Sequence, residues 1–228
     1  MVNTFCVSGT AESTAKLLDN KRLGKQRVEA QQILNVLTGS LRSSETNPNN
    51  EKKGFSHHPA CLMWKDSIPA LKHYINCMID EWKSRGFKNT MEKHDIKDDV
   101  SVKYPWWFTC KQLQLTHKCS LYRKDTKYYK EFKSEDNFKE FLYRGYLWLT
   151  EGRLTDKDVE LLKQGKLNID LCDPLGAGVP ARWRISKEDC VKWNGNRLVN
   201  PKTNRKIKEG GKIYKDYKEA YGYHVKDK

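Results

Sequence analysis

Between Lys21 and Leu37, five side chains of the types that handle phosphates and protons stand close together: Arg22, Lys25, Gln26, Arg27 and Glu29. At about 100° per residue, Leu23, Ala30, Leu34 and Leu37 define one apolar arc of a helix, with Ile33 at its edge. Arg22, Gln26 and Glu29 fall at Ile33's end of that arc, which brings Arg22 near Glu29, and Lys25 lies one turn before it. A carboxylate flanked by cations at the border of a core has two readings. It fastens helices as an ion-pair network, or it forms a site in which Arg22, Lys25 and Arg27 hold phosphates while Glu29 moves a proton or stabilises a cation. Spacing alone favours the first.

Two further groups carry chemistry. His57 and His58 precede Pro59 at the start of a second helical block. A helix N-terminus disfavours a cationic imidazole, so a neutral histidine there could touch a base or a phosphate, or simply cap the helix. The stretch from Thr116 to Lys124 puts His117, Ser120 and Lys124 on one helical face. Arg123, Tyr128 and Tyr129 continue an alternation of basic and aromatic residues. Aromatics among cations suit stacking on bases and gripping a backbone; a core-facing tyrosine is the alternative for one of the pair.

The bulk composition points the same way. The 228 residues carry a formal charge of +14 and are 11% aromatic, with seven tryptophans, which argues for a folded chain and a polyanionic partner, nucleic acid before membrane. No apolar run approaches the length of a membrane span, and the N-terminus lacks a charged-then-apolar signal, so a soluble, intracellular, non-secreted protein is expected. Seven dispersed cysteines (6, 61, 77, 110, 119, 172 and 190) include no CxxC pair. They suit a reducing compartment, with several acting as small core residues, and they show no zinc spacing with the histidines; His57-His58 is a weak metal cue.

The elements that must position these residues are mainly helical. The pattern predicts a short helix over 10–20 after an extended lead-in at 2–7, then the 21–37 helix stopping at Gly39, and an exposed loop over 40–55. A helical block over 59–85 opens on Pro59, divides at Pro69 and is capped by Gly86. A charged irregular stretch (88–102), an aromatic cluster at Tyr104–Phe108, a helix over 113–121 and a buried segment at 146–149 follow. Thr155 to Asp158 forms a capping-box pattern that opens a helix through Leu162. Asp173 to Pro180 reads as a linker to a basic module, in which residues 182–218 hold twelve Lys/Arg against four Asp/Glu, a net of +8. The expected domains are 1–150, a helix and linker at 151–180, and a C-terminal module at 181–228.

LLDNKRLGKQRVEAQQIL, FSHHPACLMWKDSIPAL, EWKSRGF and THKCSLYRKDTKYY together resemble the pyrimidine-dimer DNA glycosylase family of endonuclease V type, in a longer bacterial and viral branch, over about residues 1–150. The resemblance implies a compact helical domain that excises damaged bases from UV-irradiated duplex DNA and cleaves abasic sites. It implies a nucleophile at the α-amine of Val2, exposed once Met1 is removed, and an acidic residue that stabilises the cationic sugar or imine. The family's acid directly follows an arginine. Here Leu23 follows Arg22, alignment on Arg27-Val28 puts the slot at Gly24, and Glu29 is the nearest acid on a suitable face.

The tail, with Cys190, Trp193, the run LVNPKTNRKI (198–207) and GKIY (211–214), resembles the two-cysteine adaptor domain of large DNA viruses. The second cysteine is missing, with Ala220, Tyr221 and His224 in its region, so no disulfide or metal pair is expected there. The tail is then a small basic attachment module, for DNA or a viral protein, and implies a virus-infected cell and packaging in the virion as settings. Neither half implies a metal or organic cofactor. The reading is a glycosylase with abasic-site lyase activity on damaged or abasic double-stranded DNA. The alternative is a non-catalytic viral DNA-binding or virion-associated protein that keeps the fold, and a third reading is a glycosylase of altered lesion preference.

Overall fold

Local capping chemistry sets the helices where the sequence places them. The computed structural model describes residues 3–39, 56–96, 102–176 and 179–226. Helix α1 (Ala11–Leu17) opens on Thr10, whose hydroxyl accepts from the Ser13 amide. Helix α2 (Asn20–Thr38) opens on Asp19, whose carboxylate accepts from the Lys21 and Arg22 amides, and it ends at Gly39 in the left-handed region (φ 73°), as the Gly39 stop predicts. His58 caps α3 (Pro59–Trp64), and Pro69 lies in the first turn of α4 (Ile68–Ser84), so the expected division of the second block holds. Helix α5 spans Lys111–Lys124, and α7 (Asp156–Lys163) carries the full capping box between Thr155 and Asp158. The expected loop at 40–55 lies outside the described residues.

Packing divides the chain into two units, Met1–Lys118 with Leu147–Leu171 and Cys119–Tyr146 with Cys172–Lys228. In the first, α2 and α1 pack on α4. Leu23, Ala30, Ile33, Leu71, Ile75, Met78 and Ile79 are buried there, as the apolar arcs require. Gly24 admits the ring of Trp82: a Cβ at position 24 would stand 2.9 Å from it. Arg85, in the EWKSRGF stretch, fixes the corner between α1 and α2. Its guanidinium donates to the carbonyls of Ala15, Lys16 and Leu18 at the end of α1 and to Asn20 Oδ1, satisfying the orphan carbonyls of a helix terminus with a cation. The irregular stretch after Gly86 is tied down at several points: Trp82 donates to the Lys88 carbonyl, and Asn76 brackets the backbone of His94.

In the second unit, α6 (Phe138–Phe141) leads into strand β1 (Arg144–Leu147), which pairs with β2 (Cys172–Pro174) in a two-stranded sheet. Asp173 and Pro174, expected to begin a linker, thus belong to a strand. Gly145 permits this, because a Cβ there would meet the Asp173 carbonyl oxygen at 2.6 Å. The tail folds around its own core. Ala181 of α8 (Ala181–Arg184), Cys190 and Trp193 of α9 (Lys187–Gly195), and Tyr217 and Ala220 of α10 (Lys212–Tyr221) form one buried cluster. Trp193 and Tyr217 stack with centroids 5.8 Å apart.

The protein is mainly α, as expected. The cysteines are free and buried and act as small core residues. Among the described residues, no helix is long and apolar enough to cross a membrane.

Candidate functional site

A buried stretch of backbone outside any sheet or helix must find partners for its N–H and C=O groups among side chains. Residues 3–7 are such a stretch, and five helices supply side chains that bond to it. Gln26 of α2 accepts from the Phe5 amide (2.7 Å) and donates to the Asn3 carbonyl (2.9 Å). Tyr74 of α4 donates to the Phe5 carbonyl and to Gln26 Oε1, both at 2.8 Å. His117 of α5 accepts from the Cys6 amide at Nδ1 (2.9 Å), and Trp64 of α3 donates its indole N–H to Thr4 Oγ1 (2.8 Å). The Val7 amide reaches Thr14 Oγ1. The start of the chain is therefore held by side chains that the sequence spreads over more than a hundred positions.

Glu29 belongs to this arrangement. It is 7% exposed, and Gln26 Nε2 donates to its Oε2 at 3.2 Å while Lys25 pairs with its Oε1 at 3.2 Å. One glutamine amide thus touches both the Asn3 carbonyl and the acid. The Lys25 ammonium reaches in from solvent, so the pair is partly screened, and its attraction is modest. Val2, the expected nucleophile, lies outside the described residues.

His117 is fully enclosed, and burial pushes its imidazole down to about 3, so it is neutral at neutral pH. With Nδ1 accepting from Cys6, the ring hydrogen sits on Nε2, which faces the Asn3 amide group at 3.5 Å. His117 is a buried support of the N-terminal run. His58 caps α3 by accepting from the Ala60 amide at Nδ1 and meets Trp148 edge-on; burial lowers its pKa, while His57 is exposed.

The cations of α2 separate. Arg22 makes an i, i+3 ion pair with Asp19, the cap of its own helix, at 3.4 Å. Arg27 lies flat over the Trp82 ring, 4.3 Å from its centroid, and donates to Asn89 Oδ1. Burial lowers its pKa, and its Nε hydrogen has no partner. Arg27 is packed, whereas Lys25 is largely exposed.

In the second unit, Arg123 donates to the Leu142 carbonyl at 2.7 Å and is largely withdrawn from solvent, and Ser120 shares a 2.8 Å hydrogen bond with Tyr146. Lys124 is exposed at the end of α5. Tyr129 is 2% exposed and stacks on Phe132, whereas Tyr128 is 51% exposed, so the tyrosine pair divides into one core and one surface ring. In the tail, Asn200 builds the turn of the Asn-Pro-x-Thr-x-Arg run. Its amide donates to the Arg205 carbonyl, and its side chain accepts from the Lys202 amide and the Tyr217 hydroxyl.

Sequence reasoning missed Trp64, Tyr74 and Arg85 as polar supports. Trp64 was legible only as a member of an apolar face, and nothing local marks an indole N–H as the partner of a distant hydroxyl or a phenol as the partner of distant backbone.

Residues 2–95 match the family model described as pyrimidine dimer DNA glycosylase, and residues 189–219 match the 2-cysteine adaptor domain. The first match ends before the 116–129 segment that also carries the resemblance. No curated protein and no solved structure matches the chain. Gln26, Glu29, Trp64, Tyr74 and Arg85 all fall within the first matched region, and Cys190, Trp193, Asn200 and Tyr217 within the second. Both resemblances read from the sequence thus coincide with a family-model match, the first over residues 2–95 and the second over residues 189–219.

Proposed function

We propose that this protein is a DNA glycosylase with abasic-site lyase activity on pyrimidine-dimer DNA, acting through the α-amine of Val2 after removal of Met1. The observation that carries the reading is the Gln26 amide, which joins the carbonyl of Asn3, the residue after Val2, to the buried carboxylate of Glu29. The family match over residues 2–95 supports the glycosylase class.

An α-amine titrates near 7.7–8, so a useful fraction is neutral and nucleophilic at pH 7. Its lone pair attacks C1′ of the damaged nucleotide, and the glycosidic bond breaks with its electrons leaving on the base. The amine then loses one proton, and its lone pair opens the sugar ring: the C1′–O4′ bond breaks, O4′ takes up a proton, and a protonated Schiff base remains. Loss of a C2′ proton drives β-elimination, the 3′ phosphate departs, and water releases the sugar and restores the amine. Glu29 stabilises the cationic sugar and imine and relays the proton. Flipping the nucleotide out is least costly at a lesion that already stacks poorly. Lys25 and Arg22 face the backbone phosphates, Tyr128 offers a stacking surface, and the basic tail adds phosphate contacts or docks on a viral protein.

Borohydride trapping on duplex DNA with one abasic site tests the reading. A covalent adduct is expected with the native N-terminus, and its loss when the N-terminus is blocked. Glu29→Gln should abolish strand cleavage with the fold intact by circular dichroism. An absent adduct alongside salt-sensitive DNA binding assigns the non-catalytic role instead. A panel of damaged duplexes then fixes the lesion.

A further inference from the structure

We infer that Glu12, His73 and Cys77 form a site for one zinc-like divalent cation that clips α1 to α4. His73 and Cys77 are one turn apart on α4, and Glu12 comes from the first turn of α1. Their ligand atoms all lie within 4.8 Å of one another, at a surface cleft of about 390 Å³ that also includes Asp80 and Lys93.

The separations fit a tetrahedral ion. Zinc binds sulfur at about 2.3 Å and nitrogen or oxygen at about 2.0–2.1 Å, which sets S···N at roughly 3.6 Å and N···O at roughly 3.3 Å. Here Cys77 Sγ lies 3.9 Å from His73 Nε2 and 3.6 Å from its Nδ1, and Nε2 lies 3.5 Å from Glu12 Oε1, so the thiol must turn toward Nε2 to share an ion with it. The His73–Glu12 and His73–Cys77 edges are within a few tenths of an ångström of these values, and all three ligand atoms lie within 4.8 Å of one another, so side-chain rotation on an ion closes the site. Sulfur, imidazole and one carboxylate select zinc over magnesium or calcium, which prefer all-oxygen sets.

An outer partner is already in place. Tyr104 hydrogen-bonds His73 Nδ1 at 2.8 Å, which fixes the ring and leaves Nε2 for the ion, the arrangement typical of metal-bound histidines. Tyr104 is itself held between Trp64 and Phe108. Lys93 is neutralised by Asp80 at 2.8 Å. Solvent access at Glu12, whose side chain is 54% exposed, gives the ion an entry path and leaves a fourth position for water. On binding, Cys77 gives its thiol proton to solvent and coordinates as the thiolate. The sequence hides the site because its ligands come from two helices, and only the i, i+4 spacing of His73 and Cys77 marks it.

This site is separate from the Gln26–Glu29 arrangement, so its test is independent of the glycosylase reading. Full-length protein, stripped of metal, is titrated with Co²⁺ alone and then with Zn²⁺. One equivalent of Co²⁺ should give a thiolate-to-metal charge-transfer band and tetrahedral visible bands, displaced by Zn²⁺. Cys77→Ser should lose the charge-transfer band. Glu12→Gln, at an exposed position that leaves the core untouched, should weaken binding about tenfold or more, and Tyr104→Phe by about 10–100-fold, the usual loss for an outer partner. Failure of the wild-type protein to bind, a charge-transfer band that survives Cys77→Ser, or unchanged affinity in Glu12→Gln each overturns the inference.

Discussion

Gln26→Ala removes the side chain on which the N-terminal run depends, and the cost follows from its partners. Gln26 is 1% exposed and makes four hydrogen bonds, to the Phe5 amide, the Asn3 carbonyl, Glu29 and the Tyr74 hydroxyl. In the variant, the Tyr74 hydroxyl keeps its bond to the Phe5 carbonyl at 2.8 Å. The Phe5 N–H and the Asn3 C=O are both buried and lose the only partners that this side chain gave them. Leaving a buried polar group unsatisfied costs about 1–3 kcal/mol, so two such groups set a loss of about 2–6 kcal/mol. That is a large share of the 5–15 kcal/mol typical of a folded domain. Urea denaturation followed by tryptophan fluorescence reads this directly, since Trp64 bonds to Thr4 in the same run. Tyr74→Phe, which deletes one hydroxyl, should cost about 1–3 kcal/mol, and the double variant should cost less than the sum because both side chains share Phe5 and each other. A Gln26→Ala stability within ~0.5 kcal/mol of wild type would refute the claim that this amide anchors the chain's start.

Two further outcomes follow from the same geometry. The folded His117 imidazole is depressed to about 3, below its unfolded value near 6.5, so the unfolded chain takes up a proton that the native protein does not. The stability His117 contributes is therefore fully present above pH 6.5 and is lost as pH falls from there toward 3, by at most about 1.4 kcal/mol per pH unit. Denaturation midpoints across that window should show the slope, and His117→Gln should flatten it. The salt dependence of DNA binding sorts the cations. Lys206→Glu, on the exposed tail, should lower the slope of log K against log salt by about one or more, whereas Arg27→Ala should leave the slope unchanged and cost about 1–2 kcal/mol of stability through Trp82 and Asn89. A reduced slope in Arg27→Ala would return that side chain to the DNA.

What the sequence determined by itself was local. Thr10, Asp19, Gly39, Pro59, Pro69 and the Thr155–Asp158 box act within a few residues, through caps and fixed backbone angles, so the helices lie where these residues put them. Periodicity also marked Gln26 and Glu29 as neighbours at the edge of a core. It gave a face, and a face does not name a partner. Arg22 turned to Asp19 because the cap carboxylate was a turn away, and Arg27 turned to Trp82 because Gly24 lets that ring approach. Tyr128 and Tyr129 are adjacent in sequence, yet only packing against Phe132 decided which one is buried. The tertiary structure alone made the site. The backbone of residues 3–7 enters a helical core with no strand beside it among the described residues, and its hydrogen-bonding demand is met by the side chains that the packing brings within reach. One of these, His117, lies 111 positions from the Cys6 amide it accepts from.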